Sequence, residues 1–360
     1  MKKKQSQQTQ NCRLGSTGGQ AVLEGIMMKS PEGCALAVRR EDGSIRVDDI
    51  EVSSVKDKYK ILKLPIIRGI VGFIESMMLS YKTLSISAEV LGFEEIEEET
   101  KFEKWMKAKF GKGVLDLVMA IAMVLGLVLG FGLFFFVPIL ITKGLDSVAG
   151  GHLGWFKNLI EGLIKIAVFV AYLALVSLMK DIRRTFEYHG AEHKTIFCYE
   201  SGEELTVENI KKYKRFHPRC GTSFLFVMLI LSILVFSLPI FTWENTVLRF
   251  ITKLLFMPLV MGLGYEFIRF AGRHDNIITR ILSAPGLWMQ RITTREPDDS
   301  MIEIAVTALK RSLPSQFPDD QAELEKLLYK KEEKSAETAK AGEAAEDDGI
   351  VGPQKENDNK

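Results

Sequence analysis

Cysteine and net charge are both scarce in this sequence. Its four cysteines lie far apart and form no Cys-x-x-Cys pair, which argues against a disulfide framework and favours a reducing compartment. The formal net charge is only +1, so the overall charge gives no reason to expect a nucleic-acid partner. The sequence has no phosphate-cradling glycine loop, nucleophile elbow or nucleotide-binding fingerprint. A signal peptide is not predicted, because no apolar segment follows the N-terminal lysines. These absences give no indication of a secreted, nucleotide-binding or serine-nucleophile protein.

Long apolar runs are present instead. Residues 117–142 and 221–243 carry no charged side chain and exceed the ~20 residues that a helix needs to cross a bilayer. A third run covers residues 158–179, and a weaker one covers residues 247–267. The predicted fold class is therefore mainly α: a polytopic membrane protein with about four transmembrane helices, a small N-terminal β-containing cytoplasmic unit and a disordered C-terminal tail.

Basic residues predict the orientation of these spans. Lysine and arginine are concentrated in residues 180–220 and after residue 267, whereas residues 143–157 and 243–246 hold only two lysines. Four spans place both basic regions on the same side as the lysine-rich N-terminus. We therefore expect a multi-pass protein of the cell (inner) membrane with both termini in the cytoplasm.

The chain divides into six segments by composition. The Asp42-Gly43 pair favours a hairpin turn in the first structured unit, and the charged, core-poor C-terminus favours disorder. The predicted segments are a disordered N-terminus (1–14), a small β-hairpin-containing cytoplasmic unit (15–60), an amphipathic helix followed by a charged helix (61–113), a four-helix membrane domain with a cytoplasmic loop at 180–220 (114–270), a cytoplasmic amphipathic segment (271–322) and a disordered tail (323–360).

Residues 61–91 have two interpretations. Charged residues recur every seven positions on one narrow stripe of a helix, namely Arg68, Glu75, Lys82 and Glu89. This pattern favours an amphipathic helix in the membrane interface or against other helices. A crossing helix is the alternative, although four charges within a span are costly.

A short histidine motif carries the main chemical signal. His189 and His193 are four positions apart, so on a helix they share a face and their imidazoles are able to hold one cation. Glu192 completes a His-x-x-Glu-His pattern, the inverted form of the zinc-hydrolase helix, in which the glutamate acts as general base. An inert polar cluster and a lipid or phosphate contact remain alternatives.

Further ligands are needed for a metal site, and several residues are candidates. His217 and Cys220 directly precede the third predicted span, and imidazole with thiolate suits zinc best among divalent metals. Glu200 is a further possible ligand. Glu24 is a candidate for lining the site, and Glu266 either faces the cluster or forms a structural ion pair.

Four blocks of this sequence together resemble the YqhQ-like family of bacterial membrane proteins. The resemblance spans roughly residues 14–310, and the blocks are Gly18–Lys29, His189–Lys194, His217–Phe224 and Pro285–Pro297. This family is uncharacterised and is described as predicted metal-dependent enzymes. The resemblance implies a cell-membrane location and a metal site, and it implies no particular reaction.

The resulting hypothesis is a membrane-embedded, metal-dependent (zinc) hydrolase with its site at the cytoplasmic interface. Metal ligands would be His189, His193, His217 and Cys220, with Glu192 as the catalytic base. Expected partners are membrane lipids and a membrane-protein or lipid-linked substrate, with no nucleic acid; the oligomeric state is open. The alternative is a non-catalytic membrane accessory or scaffold protein with a structural metal or polar cluster.

Overall fold

A computed structural model describes residues 17–92, 121, 124–126, 128–130, 132–154, 156–238, 246–271 and 277–328. The predictions for the N-terminus, for the charged helix within 61–113 and for residues 329–360 of the tail lie outside the described residues. Within them the chain is mainly helical, with one small antiparallel sheet. This agrees with the predicted fold class at the level of secondary structure.

Four consecutive strands form the sheet, each pairing antiparallel with the next. They are β1 (Gly18–Val22), β2 (Gly25–Lys29), β3 (Cys34–Arg39) and β4 (Ile45–Asp49). The predicted hairpin corresponds to β3 and β4, whereas the β1–β2 hairpin was not predicted. Its tight turn places Glu24 at φ 49°, in the left-handed region that glycine usually supplies, so the residues there give no turn signal.

Ten helices cover most of the remaining described residues. They are α1 (Ile67–Val90), α2 (Val137–Val148), α3 (Phe156–Val176), α4 (Lys180–Ser201), α5 (Val207–Lys211), α6 (Gly221–Phe236), α7 (Thr246–Ala271), α8 (Ile277–Thr293), α9 (Asp299–Ser312) and α10 (Pro318–Leu324). A π-helical turn, Gly132–Phe136, precedes α2, and short 3₁₀ turns lie at Val55–Asp57, Lys60–Lys63 and Glu325–Leu327.

The sheet is packed on both faces, because successive strand residues point to opposite sides. On one face Ile26 and Ala37 pack against α4 and α9, which contribute Tyr188 and Ile304 among others. On the other face the buried residues include Leu36, and the C-terminal half of α1 covers them. The result is a layered unit in which α4 and α9 pack side by side on one face of the sheet, α4 over β1 and β2 and α9 over β2 and β3.

Three helical stretches are long and apolar enough to cross a membrane. They are Val124–Val148, Phe156–Val176 and Phe250–Phe267, with 25, 21 and 18 residues. The remaining predicted run, 221–243, is helical over the 16 residues of α6, and residues 239–243 lie outside the described residues. The count of about four membrane helices therefore stays a prediction.

Ion pairs connect helices through residues that lie far apart in the sequence. Glu161 on α3 pairs with Lys253 on α7 at 2.8 Å, and both side chains are buried. Arg68 at the start of α1 forms a bidentate pair with Glu266 near the end of α7. Glu266 is thus a structural ion-pair partner.

The C-terminal described residues belong to the packed unit. In α9 most apolar side chains are fully buried, so this helix is a core element of the segment predicted as amphipathic. Leu324 is also buried, and Leu328 forms a parallel bridge with Val47 of β4. The predicted start of the disordered tail at residue 323 is therefore too early.

Candidate metal site

The two histidines of the motif lie on α4, as their spacing predicted. Their ring centroids are 4.4 Å apart, one turn of helix from each other. The helix ends at Gly202, which adopts a left-handed conformation with φ 75° and closes the last turn. His193 is buried and His189 is partly exposed, so the pair lies at the edge of the core.

Cys220 completes the cluster from another helix. It occupies the N-cap position of α6, and its Sγ lies 3.1 Å from His189 Nε2. One ligand atom from each of His189, His193 and Cys220 lies within 4.8 Å of the others. Two imidazoles and a thiol at such distances form a donor set that could hold a divalent metal ion.

Main-chain carbonyls fix the orientation of both imidazoles. His189 Nδ1 lies 2.7 Å from the carbonyl oxygen of Thr293, and His193 Nδ1 lies 2.5 Å from that of Arg215. A carbonyl only accepts, so each Nδ1 carries the proton and each Nε2 presents a lone pair. Metal-binding histidines are usually held in this way.

The free lone pairs fit a metal ion. Among the described residues, His193 Nε2 is buried and has no hydrogen-bond partner, a situation that is costly for a polar atom unless a ligand completes it. Burial is also the main reason that the pKa of His193 is lowered, so the ring stays neutral, as metal coordination requires. His189, His193 and Cys220 therefore fit the divalent metal ion that the His-x-x-Glu-His motif implies.

His217 lies beside the cluster but outside the three-donor group. Its ring centroid is 5.5 Å from that of His193, and its Nε2 lies 3.8 Å from Glu200 Oε2. Glu200 in turn accepts a hydrogen bond from Arg219. Burial lowers the pKa of His217, so this ring is neutral as well. The predicted ligands His217 and Glu200 thus form a neighbouring buried pair, with Glu200 committed to Arg219.

Glu192 lies against the sheet, next to the metal donors. Its side chain is buried, and Oε2 has no hydrogen-bond partner among the described residues. Loss of hydration raises the pKa of this carboxyl group to about 8, against a lowering influence from His189. A Cβ atom at Gly19 would lie 2.9 Å from Glu192 Cγ, so the glycine of β1 makes room for this carboxyl group.

Glu24 takes part in a different contact. Its carboxylate forms a bidentate pair with Arg184 and accepts a hydrogen bond from the Tyr188 hydroxyl at 3.1 Å. It therefore joins the β1–β2 turn to the start of α4. With Glu266 bound to Arg68, neither of these carboxylates belongs to the three-donor group.

Gln290 on α8 organises the site and was missed by sequence reasoning. Its Oε1 accepts from the His217 N–H at 2.7 Å, and its Nε2 donates to the His217 carbonyl at 2.7 Å and to Ser223 Oγ at 2.8 Å. The side chain is completely buried. It therefore fixes the His217 main chain before Cys220 and the Ser223 side chain after it, and a glutamine with this role has no recognisable sequence pattern.

A close main-chain approach holds α4 against the segment after α8. A Cβ atom at Gly190 would lie 1.9 Å from the carbonyl oxygen of Arg295, and the Arg295 N–H donates to the Phe186 carbonyl at 2.8 Å. Only glycine allows this distance. The contact brings Thr293 within reach of His189.

Comparisons with known proteins agree with the resemblance of the sequence blocks. The model of a family described as "Protein of unknown function (DUF1385)" matches residues 64–315. The chain belongs to this family. It is also 33% identical over 297 residues to the uncharacterized protein YqhQ of Bacillus subtilis (strain 168). The aligned region covers 82% of this chain and 92% of that relative. No solved structure matches the chain. The function must therefore be argued from the site.

Proposed function

We propose that this chain is a multi-pass metalloprotein of the inner membrane whose metal donors are His189, His193 and Cys220. The observation that carries the proposal is the convergence of three ligand atoms within 4.8 Å, with a buried His193 Nε2 that has no other partner among the described residues. Imidazole and thiolate donors favour zinc among the available divalent ions.

The site lies at the cytoplasmic edge of the membrane in this proposal. Cys220 directly precedes the apolar α6, and α4 begins four residues after the candidate span Phe156–Val176 ends. The basic residues concentrated between 180 and 220 favour the cytoplasmic side for this region, and both termini then share that side.

The reaction we propose is hydrolysis of a membrane-tethered or lipid-linked substrate. A bound divalent ion supplies Lewis acidity, which makes water a better nucleophile near neutral pH. Glu192 is placed to take and return a proton, since its pKa of about 8 lies near physiological pH. The three-donor set also leaves room for substrate, because catalytic zinc sites commonly use three protein ligands.

A non-catalytic role is the second candidate, and one observation favours it. The donors come from α4 and α6, and the carbonyl that orients His189 comes from the end of α8, so a metal would fasten three helices together. His193 and Cys220 are also buried, which suits a structural ion. Such a protein would act as a membrane accessory or scaffold.

Elemental analysis of the purified full-length protein tests the metal assignment. We expect about one zinc, iron or manganese ion per chain, lost in the double variant His189→Ala/His193→Ala. An His152→Ala variant is the matched control, because His152 lies outside the donor group. Wild-type protein that stays metal-free after reconstitution would refute the assignment.

Glu192→Gln separates the catalytic role from the structural one. The amide keeps the size of the side chain but cannot accept a proton. We expect normal metal content together with loss of activity against a membrane-linked substrate. Loss of metal or of folding in this variant would show that Glu192 supports the structure instead.

A further inference from the structure

Most basic side chains around the metal donors already have a carboxylate partner. Buried or partly buried cations are normally paired with a carboxylate, because the ion pair offsets the free energy of hydration that a buried charge loses. The pairs are Arg184–Glu24, Arg219–Glu200, Arg215–Glu296 and Lys194–Glu296.

Arg295 differs from these residues in its lack of a carboxylate partner. Its side chain is half-buried, and its Nε, like that of Arg215, is buried without a hydrogen-bond partner in the part of the chain that the structure describes. No described carboxylate lies within ion-pair distance of its guanidinium group. The neighbouring Glu296 is already shared by Lys194 and Arg215. Arg295 thus has no counter-ion among the described residues.

Its main chain is fixed next to the metal donors. The Arg295 N–H donates to the Phe186 carbonyl, and its own carbonyl abuts Gly190, the residue after His189. Two positions earlier, the Thr293 carbonyl binds His189 Nδ1. The main chain of Arg295 therefore contacts the turn of α4 that carries His189, the first of the proposed metal donors.

The exposed side of α8 lies close to Arg295 in the sequence, because the helix ends at Thr293. Trp288 is 52% exposed, and Arg291 follows it by one turn and is exposed as well. Tryptophan and arginine on the exposed face of an amphipathic helix are typical of the head-group region of a bilayer, where the indole sits at the interface and basic groups meet anionic lipids. The apolar α6 packs against the buried side of α8, through Gly286 and Gln290, and leaves Trp288 and Arg291 exposed.

We propose that Arg295, together with Arg291, binds the phosphate of an anionic membrane lipid and presents lipid-linked substrate to the metal donors. The planar guanidinium group makes bidentate hydrogen bonds with phosphate oxygens, which a lysine does not reproduce. This inference rests on the proposed function, because it names the substrate class of the same site: phosphate-bearing lipids.

Spin-labelled lipids test the proposal on the intact protein. The full chain is reconstituted in phosphatidylcholine, and the preference for spin-labelled phosphatidylglycerol over phosphatidylcholine is measured by electron paramagnetic resonance. We expect Arg295→Gln to reduce this preference by about fivefold, with Arg295→Lys retaining part of it. Arg40→Gln is the matched control, since Arg40 lies at the β3–β4 hairpin on the sheet, and we expect it to leave the preference unchanged.

Further outcomes decide the assignment. An unchanged lipid preference in Arg295→Gln would overturn the proposal. Loss of the wild-type preference on addition of inorganic phosphate would assign Arg295 to a soluble phosphate and overturn its lipid part. Metal content is measured on the same samples: Arg295→Gln should keep the wild-type value, so a lipid defect with normal metal is distinguishable from failure of the metal site.

Discussion

The side-chain amide of Gln290 bonds both main-chain polar groups of His217, accepting from its N–H and donating to its carbonyl at 2.7 Å each. A third bond reaches Ser223 Oγ, on the other side of Cys220. One buried side chain therefore sets the path of the segment that presents the thiol. Its contribution to the candidate metal site is indirect, through the position of Cys220.

Replacing Gln290 should weaken both the fold and the metal site. Gln290→Leu keeps the volume but leaves a buried N–H and a buried carbonyl unsatisfied, which should lower the free energy of unfolding by about 2 kcal/mol or more. Metal affinity should fall by about tenfold, as for other residues that orient ligands. Competition with a chelator measures the affinity, and thermal unfolding in detergent measures the stability. The control is Gln316→Leu, since Gln316 is an exposed residue that bonds Tyr199 and Glu32 away from the candidate donors; equal losses in both variants would contradict the special role of Gln290.

Gly190→Ala should disrupt the site through the backbone. The added methyl group would lie 1.9 Å from the Arg295 carbonyl, so α4 and the residues after α8 must separate. We expect a loss of stability of about 3 kcal/mol, at the upper end for overpacking, together with reduced metal content. Gly221→Ala is the matched control, because nothing lies within 4 Å of its added Cβ although it follows Cys220 directly. A fully stable, metal-loaded Gly190→Ala protein would show that this approach is not required.

The buried pair Glu161–Lys253 should be sensitive to the loss of one partner. Lys253→Met leaves the Glu161 carboxylate without its 2.8 Å contact among apolar helices, and we expect a cost of about 3–5 kcal/mol. Adding Glu161→Leu should recover much of this stability, because no isolated charge remains. Asp146→Ala in the exposed Asp146–Lys157 pair should change little. Melting temperatures of the detergent-solubilised variants compare the four proteins, and a double variant no better than Lys253→Met would contradict the pairing argument.

Thiol labelling should separate Cys220 from the other described cysteines. Burial raises the pKa of Cys34 and of Cys198 to about 11, so both are protonated near neutral pH and their labelling should accelerate only as pH rises towards that value. Cys220 should be protected by bound metal and become reactive after chelation. Mass spectrometry of iodoacetamide adducts, in a Cys12→Ser background, follows each site at pH 7.5 and pH 9.5. Labelling of Cys220 that is equally fast with and without chelator would argue against its role as a ligand.

Local spacing predicted the part of the site that local structure determines. His189 and His193 share a face because they are four residues apart on a helix that forms as expected. Cys220 was a candidate because it precedes an apolar run. Partners that contribute a main-chain carbonyl, such as Thr293 and Arg215, have no sequence signature, since every residue carries the same group.

Partners of charged residues were predictable only where they lie close in sequence. Glu161 pairs with Lys253, which lies 92 positions along the chain, because the packing of α3 and α7 brings the two side chains together. Helix ends are also difficult to predict from the sequence. The uncharged run of 23 residues at 221–243 indicates an apolar helix but does not show where α6 ends. The β1–β2 hairpin was missed because its turn uses Glu24 where glycine or asparagine would have been recognised.

The bond from His189 to the Thr293 carbonyl joins residues 104 positions apart. The ribosome therefore releases both histidines and Cys220 before it makes Thr293, which orients His189, and Gln290, which fixes the segment before Cys220. A nascent chain that ends after α6 has the candidate donors without these contacts from α8. If the site binds metal as we propose, stable loading follows the synthesis of α8, so an occupied site would mark a chain that has been made and packed through that helix.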